Sequence, residues 1–558
     1  MRRRRFYLIL ASIGVSSLAL RALVPPFPLY GAVHDDELMV RLAASLRRGN
    51  WLGDYAAQGH LTLSKPPGYP IFLAASSWFP WAPTITIHLL ALAGALVFLR
   101  ELRLIGTPRW VVAAGFALIA FCPFWFGDQL SRVYREGLLA SLTMVAIGLA
   151  FAVRRRLADP TCAWWSTWRS RAASLATSGA LGVVVSLYVA TKPSWHGFAL
   201  LVGTTVSTAI TSWSGRPTKR QALIITALFS VLLVGATTVV GYSVAQNQRR
   251  YGVAALDTFA SGPFKDALNA WSSVRTDSPR RYVQVDAQQR EAVYAISPTA
   301  RELRPFLEYG PGYGWRGSSC ASPMKICDES GAWFPWELRD AVQRSGLGES
   351  PTQFNRTLAQ VAGDIRSACS DGRLACGPEG LAPGIGPLTT LPRRELIDAV
   401  VLGAEWLLRP EAGTGLRTVD PQASEDVDDW RLIVDGLPAP VPESTYRANA
   451  ASLGSALKLL ETLYRGLWTP LMIIGLVGMV SPMAHDRTRK ALPYRYAQGG
   501  LLLAVGVLLA QLALLEVGSG MYVSAGGILY LLPAIPPLLA FAVLGAAQLE
   551  ELIAARKR

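Results

Sequence analysis

The sequence predicts a mainly α fold: a polytopic bundle of about ten membrane helices, with an α-rich external domain inserted before the last three. Three observations carry this prediction. The chain is 51% hydrophobic and only 17% charged, and its apolar residues gather in long runs able to cross a hydrocarbon core about 30 Å thick. Arg and Lys cluster at alternate ends of those runs, as membrane topology requires. One stretch of some two hundred residues has no apolar run of that length. Length alone suggests several soluble domains, but composition overrides that prior. The net charge of +15 sits at segment ends, so it speaks for topology and against a nucleic-acid partner.

The first apolar run follows four arginines (MRRRRFYLIL) and is not followed by a small-x-small cleavage site. It reads as an uncleaved span, Phe6 to Val24, with its basic end in the cytoplasm. The loop over residues 25–83 is then external. Thr84 to Leu99 returns to the basic turn RELRLIGTPR, and Trp110 to Phe126 goes out to the short loop GDQLSRVYRE. Gly137 to Val153 comes back to Arg154, Arg155 and Arg156. After a Trp-rich interfacial turn, Ala172 to Ala190 and Trp195 to Ser212 are joined outside by TKPSWHG. Ala222 to Val244 leaves the cytoplasm again. Leu467 to Met483, Gly499 to Leu515 and Gly527 to Ala547 complete the membrane part, and both termini fall inside. The parts are thus an N-terminal membrane module (1–244), an external domain (245–462) and C-terminal spans (463–558).

Within the external domain, FPWELRDAVQRSG and TQFNRTLAQVAGDIRSAC carry apolar residues at helical spacing. PGYGWRG, GPEGLAPGIGP and GLPAPVPES read as loops from their Gly and Pro content. Four of the six cysteines lie in this domain, as Cys320/Cys327 and Cys369/Cys376. In an oxidising compartment each pair forms a local disulfide, closing a loop of about eight residues worth roughly 2.5 kcal/mol in the chain-entropy model. Zinc ligand pairs sit closer together, two to four residues apart. Cys122 and Cys162, within or beneath the membrane, are expected to be free.

The chemistry-bearing stretch is His34 to Ile71, in the first external loop. Asp35, Asp36 and Glu37 are consecutive, and three adjacent carboxylates need a cation, a proton or water to offset their repulsion. Leu38, Leu42 and Leu46 then mark one helix face, with Arg41 beside it. A plain reading is a solvated helix start, where acids suit the first turn. The functional reading is a general base that activates a hydroxyl or amine, with a neighbouring acid holding a divalent cation such as Mg, Mn or Zn. Lys65 precedes two prolines that fix the backbone and suits a phosphate as a point charge. GDQLSRVYRE adds Asp128, Arg132, Arg135 and Glu136 on the same face. TKPSWHG adds Lys192 and the weaker candidate His196. No phosphate-binding P-loop, HExxH, GxSxG or dinucleotide fingerprint occurs, and the middles of the spans lack the ionisable groups of an ion-coupled transporter.

The acidic pair after the first span, the helix that follows it, then Gly-Asn-Trp-Leu and Lys-Pro-Pro-Gly-Tyr-Pro resemble the GT-C superfamily of integral-membrane glycosyltransferases. The nearest flavour is the bacterial branch with lipid A aminoarabinose transferases and relatives of protein O-mannosyltransferases. The resemblance covers about the first two hundred residues. It implies a polyprenyl-phosphate sugar as donor, used at a periplasmic active site of an inner-membrane enzyme, with transfer onto a lipid, glycan or protein of the cell envelope. Asp36, or alternatively Asp35, is then the inverting base, and Glu37 supports it. Lys65, Arg132, Arg135 and Lys192 face the donor phosphate, while Asp128 and Glu136 form a second acidic group; Asp35, Glu37 and Asp128 are the metal candidates. The chain departs from that branch where Ile528-Leu529-Tyr530 replaces an Arg-Tyr pair before the last prolines, and in its Cys-paired external domain. Two other classes remain: a lipid-linked saccharide transporter or flippase, and an envelope assembly factor.

Overall fold

The computed structural model describes residues 3–24, 26, 34–157, 165–193, 203, 218–259, 261–277, 283–309, 311–321, 326–379, 401, 427–435, 443–480, 499–500, 502–506, 508 and 528–556. Among these, seven helices are long and apolar enough to span a membrane: Arg3–Ala22, Pro83–Leu104, Arg135–Leu157, Trp168–Thr191, Lys219–Tyr251, Leu453–Val480 and Leu532–Ala554. A shorter apolar segment, Arg109–Trp125, accompanies them. The chain is therefore a multi-pass helical membrane protein. Of two further expected spans, Trp195 to Ser212 falls almost wholly outside the described residues and Gly499 to Leu515 about half outside them.

In chain order the helices are α1 (Arg3–Ala22), α2 (Asp36–Arg47), α3 (Gly68–Ser76), α4 (Pro83–Leu104), α5 (Arg109–Ala120), α6 (Arg135–Leu157), α7 (Trp168–Thr191) and α8 (Lys219–Tyr251). The helices outside the membrane bundle, external in that sense alone, are α9 (Pro263–Ser273), α10 (Ala287–Ile296), α11 (Pro298–Glu308), α12 (Pro311–Ala321), α13 (Phe334–Arg344) and α14 (Pro351–Ser370), and the chain re-enters the bundle through α15 (Glu443–Val480) and α16 (Ile535–Arg556). Helix α6 is enclosed almost all round, with Leu138, Leu142 and Met144 buried. α8 and α15 instead expose Leu223, Leu233, Val234, Leu463, Leu467 and Ile473, the apolar faces that lipid covers. Between α4 and α6 the approach is close: a Cβ added at Gly148 would lie 2.5 Å from the Gly94 carbonyl oxygen. Small residues allow such backbone contact where lipid offers no hydrophobic drive for association.

Ionisable groups buried inside the spans lie towards the helix ends. His88, near the start of α4, meets Ser17 Oγ at 2.7 Å. Glu101, near the other end of α4, pairs with Arg100 at 2.8 Å and with Arg155.

The 33 residues of α8 make a rod of about 50 Å at roughly 1.5 Å per residue, longer than the ~30 Å hydrocarbon core. Its projecting end reaches the first loop, where the Tyr251 hydroxyl donates to the carbonyls of Trp51 (2.6 Å) and Gly53 (2.7 Å). Between those carbonyls sits Leu52, fully buried with φ +48°, a left-handed backbone that a bulky residue rarely adopts. α15 likewise runs unbroken across residue 462 into the membrane.

The external helices enclose their own core of Phe264, Trp271, Leu303, Phe334, Leu358 and Ile365. Both disulfides, Cys320–Cys327 and Cys369–Cys376, are present, and Cys122 is a buried free thiol. Cys162 lies outside the described residues, as do most of GPEGLAPGIGP and GLPAPVPES. The sequence PGYGWRG, expected as a loop, instead begins helix α12. Its Pro311 occupies the first helical position, where a missing N–H removes no intrahelical bond. The domain docks on the first loop through Arg339 and Gln343, which donate to the His60 carbonyl at 2.8 and 3.0 Å. The Thr258 N–H donates to the Leu63 carbonyl at 2.8 Å.

Candidate functional site

The site forms at one end of the bundle, where the first loop, the turn before α6, the end of α7 and the start of the last helical segment converge. Arg21 fixes the ground beneath it. Buried at the end of α1, its guanidinium donates to the Trp125 carbonyl (2.8 Å) and to Ser131 Oγ (3.1 Å). That holds the short stretch carrying Arg132 against the membrane helices.

Arg132 donates to Asp36 from Nε at 2.8–2.9 Å and from Nη2 at 2.7 Å. Asp36 is wholly buried, so this fork replaces the water a carboxylate gives up. The pairing raises the Arg132 pKa despite burial, which alone would lower it. Glu37, the next residue, is also buried in the first turn of α2.

Asp35 stands apart, because its side chain keeps 35% of its exposure. Lys65 donates to it from the rigid Pro66-Pro67 turn. Burial works against the Asp35 charge, but Lys65, Arg132 and Arg135 outweigh it and hold the carboxyl below its ordinary range. Burial pulls the Lys65 ammonium down, with Asp35 opposing the shift. The pair is an ammonium–carboxylate contact open to solvent on the acid side.

Gly68 explains why Lys65 sits there. A Cβ on Gly68 would lie 2.5 Å from the Ala190 carbonyl carbon and the Thr191 nitrogen, so α3 abuts the end of α7 only with glycine at that position. The same contact brings Lys192 in. Its ammonium donates to Glu136, fully buried, at 3.2 Å, and lies 4.7 Å from the Tyr530 ring centre. Arg135 approaches the other Glu136 oxygen at 3.5 Å. Between the two arginines lies Tyr134, its ring centre 4.4 Å from the Arg132 guanidinium and 5.4 Å from that of Arg135.

The external domain closes over this charged floor with aromatic rings. His34 stacks on Trp336 (centroids 5.1 Å apart, 13° between planes) and on Trp315 (5.5 Å, 29°). The Trp336 ring centre also lies 5.0 Å from the Lys65 ammonium.

Seven predicted residues therefore gather here: Asp35, Asp36, Lys65, Arg132, Arg135, Glu136 and Lys192. Arg132 and Lys192 each engage a buried acid as well as bordering the site. The Asp128 side chain and His196 lie outside the described residues. Tyr134, Trp315 and Trp336 are site residues that the sequence did not single out, and Tyr530 is named only within the Ile528-Leu529-Tyr530 departure. Tyr134 carried a signal, lying in Arg132-Val133-Tyr134-Arg135 of GDQLSRVYRE. Among the described residues no three His, Cys, Asp or Glu side chains converge as metal ligands. Asp35 is occupied by an ammonium and Asp36 by a guanidinium. Of the other metal candidates, Glu37 is buried in the first turn of α2 and the Asp128 side chain lies outside the described residues.

Fold and site together define a polytopic helical membrane protein with a paired acid–base centre at one end of its bundle. No protein-family model matches the chain, and no curated protein matches it. Two solved structures match along most of its length. One is ArnT from Cupriavidus metallidurans in the apo state, at 14% identity and a TM-score of 0.30, over 97% of this chain and 76% of the other. The other is ArnT from the same organism bound to undecaprenyl phosphate, at 14% identity and a TM-score of 0.27, over 99% and 79%. At these TM-scores the likeness carries no argument about this chain's function.

Proposed function

We propose that the protein is a GT-C-type glycosyltransferase of the bacterial inner membrane, facing the periplasm and moving a sugar from a polyprenyl-phosphate donor onto a cell-envelope acceptor. One observation carries this reading: the solvent-facing Asp35–Lys65 pair, held on a rigid turn and backed by Arg132, Arg135 and Lys192. A phosphate arriving at the membrane surface competes with Asp35 for Lys65. Once Lys65 turns to the phosphate, Asp35 loses its strongest stabilising partner and becomes a better proton acceptor.

The acceptor hydroxyl or amine then attacks the anomeric carbon. Its proton passes to Asp35, the bond from anomeric carbon to phosphate oxygen breaks, and polyprenyl phosphate leaves with its charge met by Lys65. A single displacement inverts the anomeric centre and needs no covalent carboxylate intermediate. The base is here Asp35, in place of Asp36, the first choice from sequence. Asp36 accepts three hydrogen-bond contacts from Arg132 and is wholly buried, the environment of a positioning anchor. Glu136, equally buried, serves Lys192 and Arg135 in the same way. No step passes through a metal.

The test is transfer from radiolabelled polyprenyl-phosphate sugars to total envelope extract by purified protein in proteoliposomes. Wild type is expected to transfer from at least one donor, and Asp35→Asn and Lys65→Ala to lose more than a hundredfold. Transfer that survives both substitutions defeats the assignment.

A further inference from the structure

Helix α13 divides its residues between two tasks. Phe334, Leu338, Ala341 and Val342 lie on one stripe and are buried in the external domain's own core. Trp336, Arg339, Asp340 and Gln343 recur at the i, i+3, i+4, i+7 spacing of the opposite stripe, which meets the first loop. Arg339 donates to Thr258 Oγ1 at 2.9 Å and, with Gln343, to the His60 carbonyl. Asp340 accepts from the Trp315 indole at 2.8 Å.

Trp336 leads that stripe. It packs against the first loop's apolar cluster, which includes Leu38, Leu42, Leu61 and Leu63, and is not part of the domain's core. Around its ring stand His34, nearly parallel with centroids 5.1 Å apart, Phe259 at 4.7 Å and the Lys65 ammonium at 5.0 Å. Of these neighbours, Lys65 is the one that changes partner in the reaction. Its side chain is nearly enclosed, at 6% exposure. Asp35 and Asp36 favour its charge, whereas burial and Arg135 oppose it.

An indole face attracts a cation, most strongly when the pair is desolvated, yet it has no net charge. A further carboxylate in its place would repel an arriving phosphate and hold Lys65 back from it; the ring does neither. The flexible four-carbon stem of lysine does not fix its own ammonium. Once Asp35 lets go, the ring is the contact that stays.

We propose that Trp336 is the positioning residue of Lys65: its ring holds the ammonium in place while the neutralising anion changes from Asp35 to a lipid phosphate. This rests on the function proposed above, which supplies the second anion. It makes the docking of the external domain, through α13, a determinant of where Lys65 stands.

The experiment is an NMR titration of Lys65 in the full-length protein, labelled with 13Cε-lysine in detergent, with Lys65→Ala assigning the signal. Trp336→Leu keeps the apolar surroundings and removes the π face, so the Lys65 pKa is expected to fall below that of wild type. Trp336→Phe keeps a ring and is expected to titrate close to wild type. A purely structural part for Trp336 predicts the opposite sign, because looser packing admits water and returns the amine towards its ordinary range. Binding of undecaprenyl phosphate is measured on the same variants. Trp336→Leu is expected to weaken it about tenfold, and Trp336→Phe by less than about threefold. The proposal is overturned if Trp336→Leu leaves the Lys65 titration unmoved or shifts it upward, or if Trp336→Phe loses as much lipid affinity as Trp336→Leu. Either result with sugar transfer intact sinks the role of Trp336 alone. Wild type that binds the lipid and transfers no sugar, with the Trp336→Leu shift present, sinks the transferase reading and leaves that role standing.

Discussion

Removing Arg132 should unmask the cost of the Asp36 charge. The carboxylate is wholly buried and meets Arg132 through contacts of 2.7 to 2.9 Å, so Arg132→Met leaves an ionised acid without its fork in a low-dielectric setting. Breaking a buried pair from one side costs about 3–5 kcal/mol, whereas replacing both partners by apolar groups is often neutral. The double substitution Asp36→Leu with Arg132→Met should therefore recover at least half of the single-variant loss. Reversible unfolding in mixed micelles, read as a double-mutant cycle, measures the coupling directly. The expected coupling exceeds about 2 kcal/mol. Additive losses, with coupling under about 0.5 kcal/mol, would refute the view that Asp36 is an anchor held by Arg132.

Two further outcomes follow from single positions. Glu337 is buried, and that burial pushes its carboxyl from 4.5 up to about 7, against the opposing pull of Ser330, Arg290 and Arg316. The folded state thus binds the proton more tightly than the unfolded chain, so this stability is fully present below about pH 4.5 and lost as pH rises through 7. Thermal unfolding from pH 5 to 8 should show a loss of at most about 3 kcal/mol in wild type, and Glu337→Gln should flatten that slope; an unchanged slope would place the proton elsewhere. Gly68→Ala puts a methyl 2.5 Å from backbone atoms of Ala190 and Thr191, which should cost about 1–3 kcal/mol by overpacking and lower transfer more than tenfold by displacing Lys65. Unaltered melting would show that α3 and α7 have room to part.

The spans were legible because lipid leaves no choice: a helix that faces hydrocarbon must be apolar throughout, and its charges gather at the ends. The paired cysteines and the amphipathic helices α13 and α14 were legible for equally local reasons. The charged turns were recognisable as a group, but not their partners. Lys65–Asp35, Lys192–Glu136 and Arg132–Asp36 join residues 30, 56 and 96 apart, and nothing local states which acid meets which cation. That pairing separates buried Asp36 from open Asp35, a distinction two adjacent aspartates cannot display in sequence. PGYGWRG misled for a related reason. Its glycines and proline argue for a loop, and only Pro311 at a first helical position and packing against α13 make it helix. Trp315 and Trp336 were hidden with it, since their meeting with His34 depends on how the external domain docks.

The account turns on Lys65 being shared between Asp35 and a lipid phosphate, and binding of undecaprenyl phosphate to the purified protein tests it most directly. Lys65→Ala should lose at least tenfold in affinity. Asp35→Asn should bind the lipid more tightly than wild type, because the ammonium no longer has a competing carboxylate, while transferring no sugar. Asp35→Asn that binds more weakly than wild type, or that still transfers, would contradict the account.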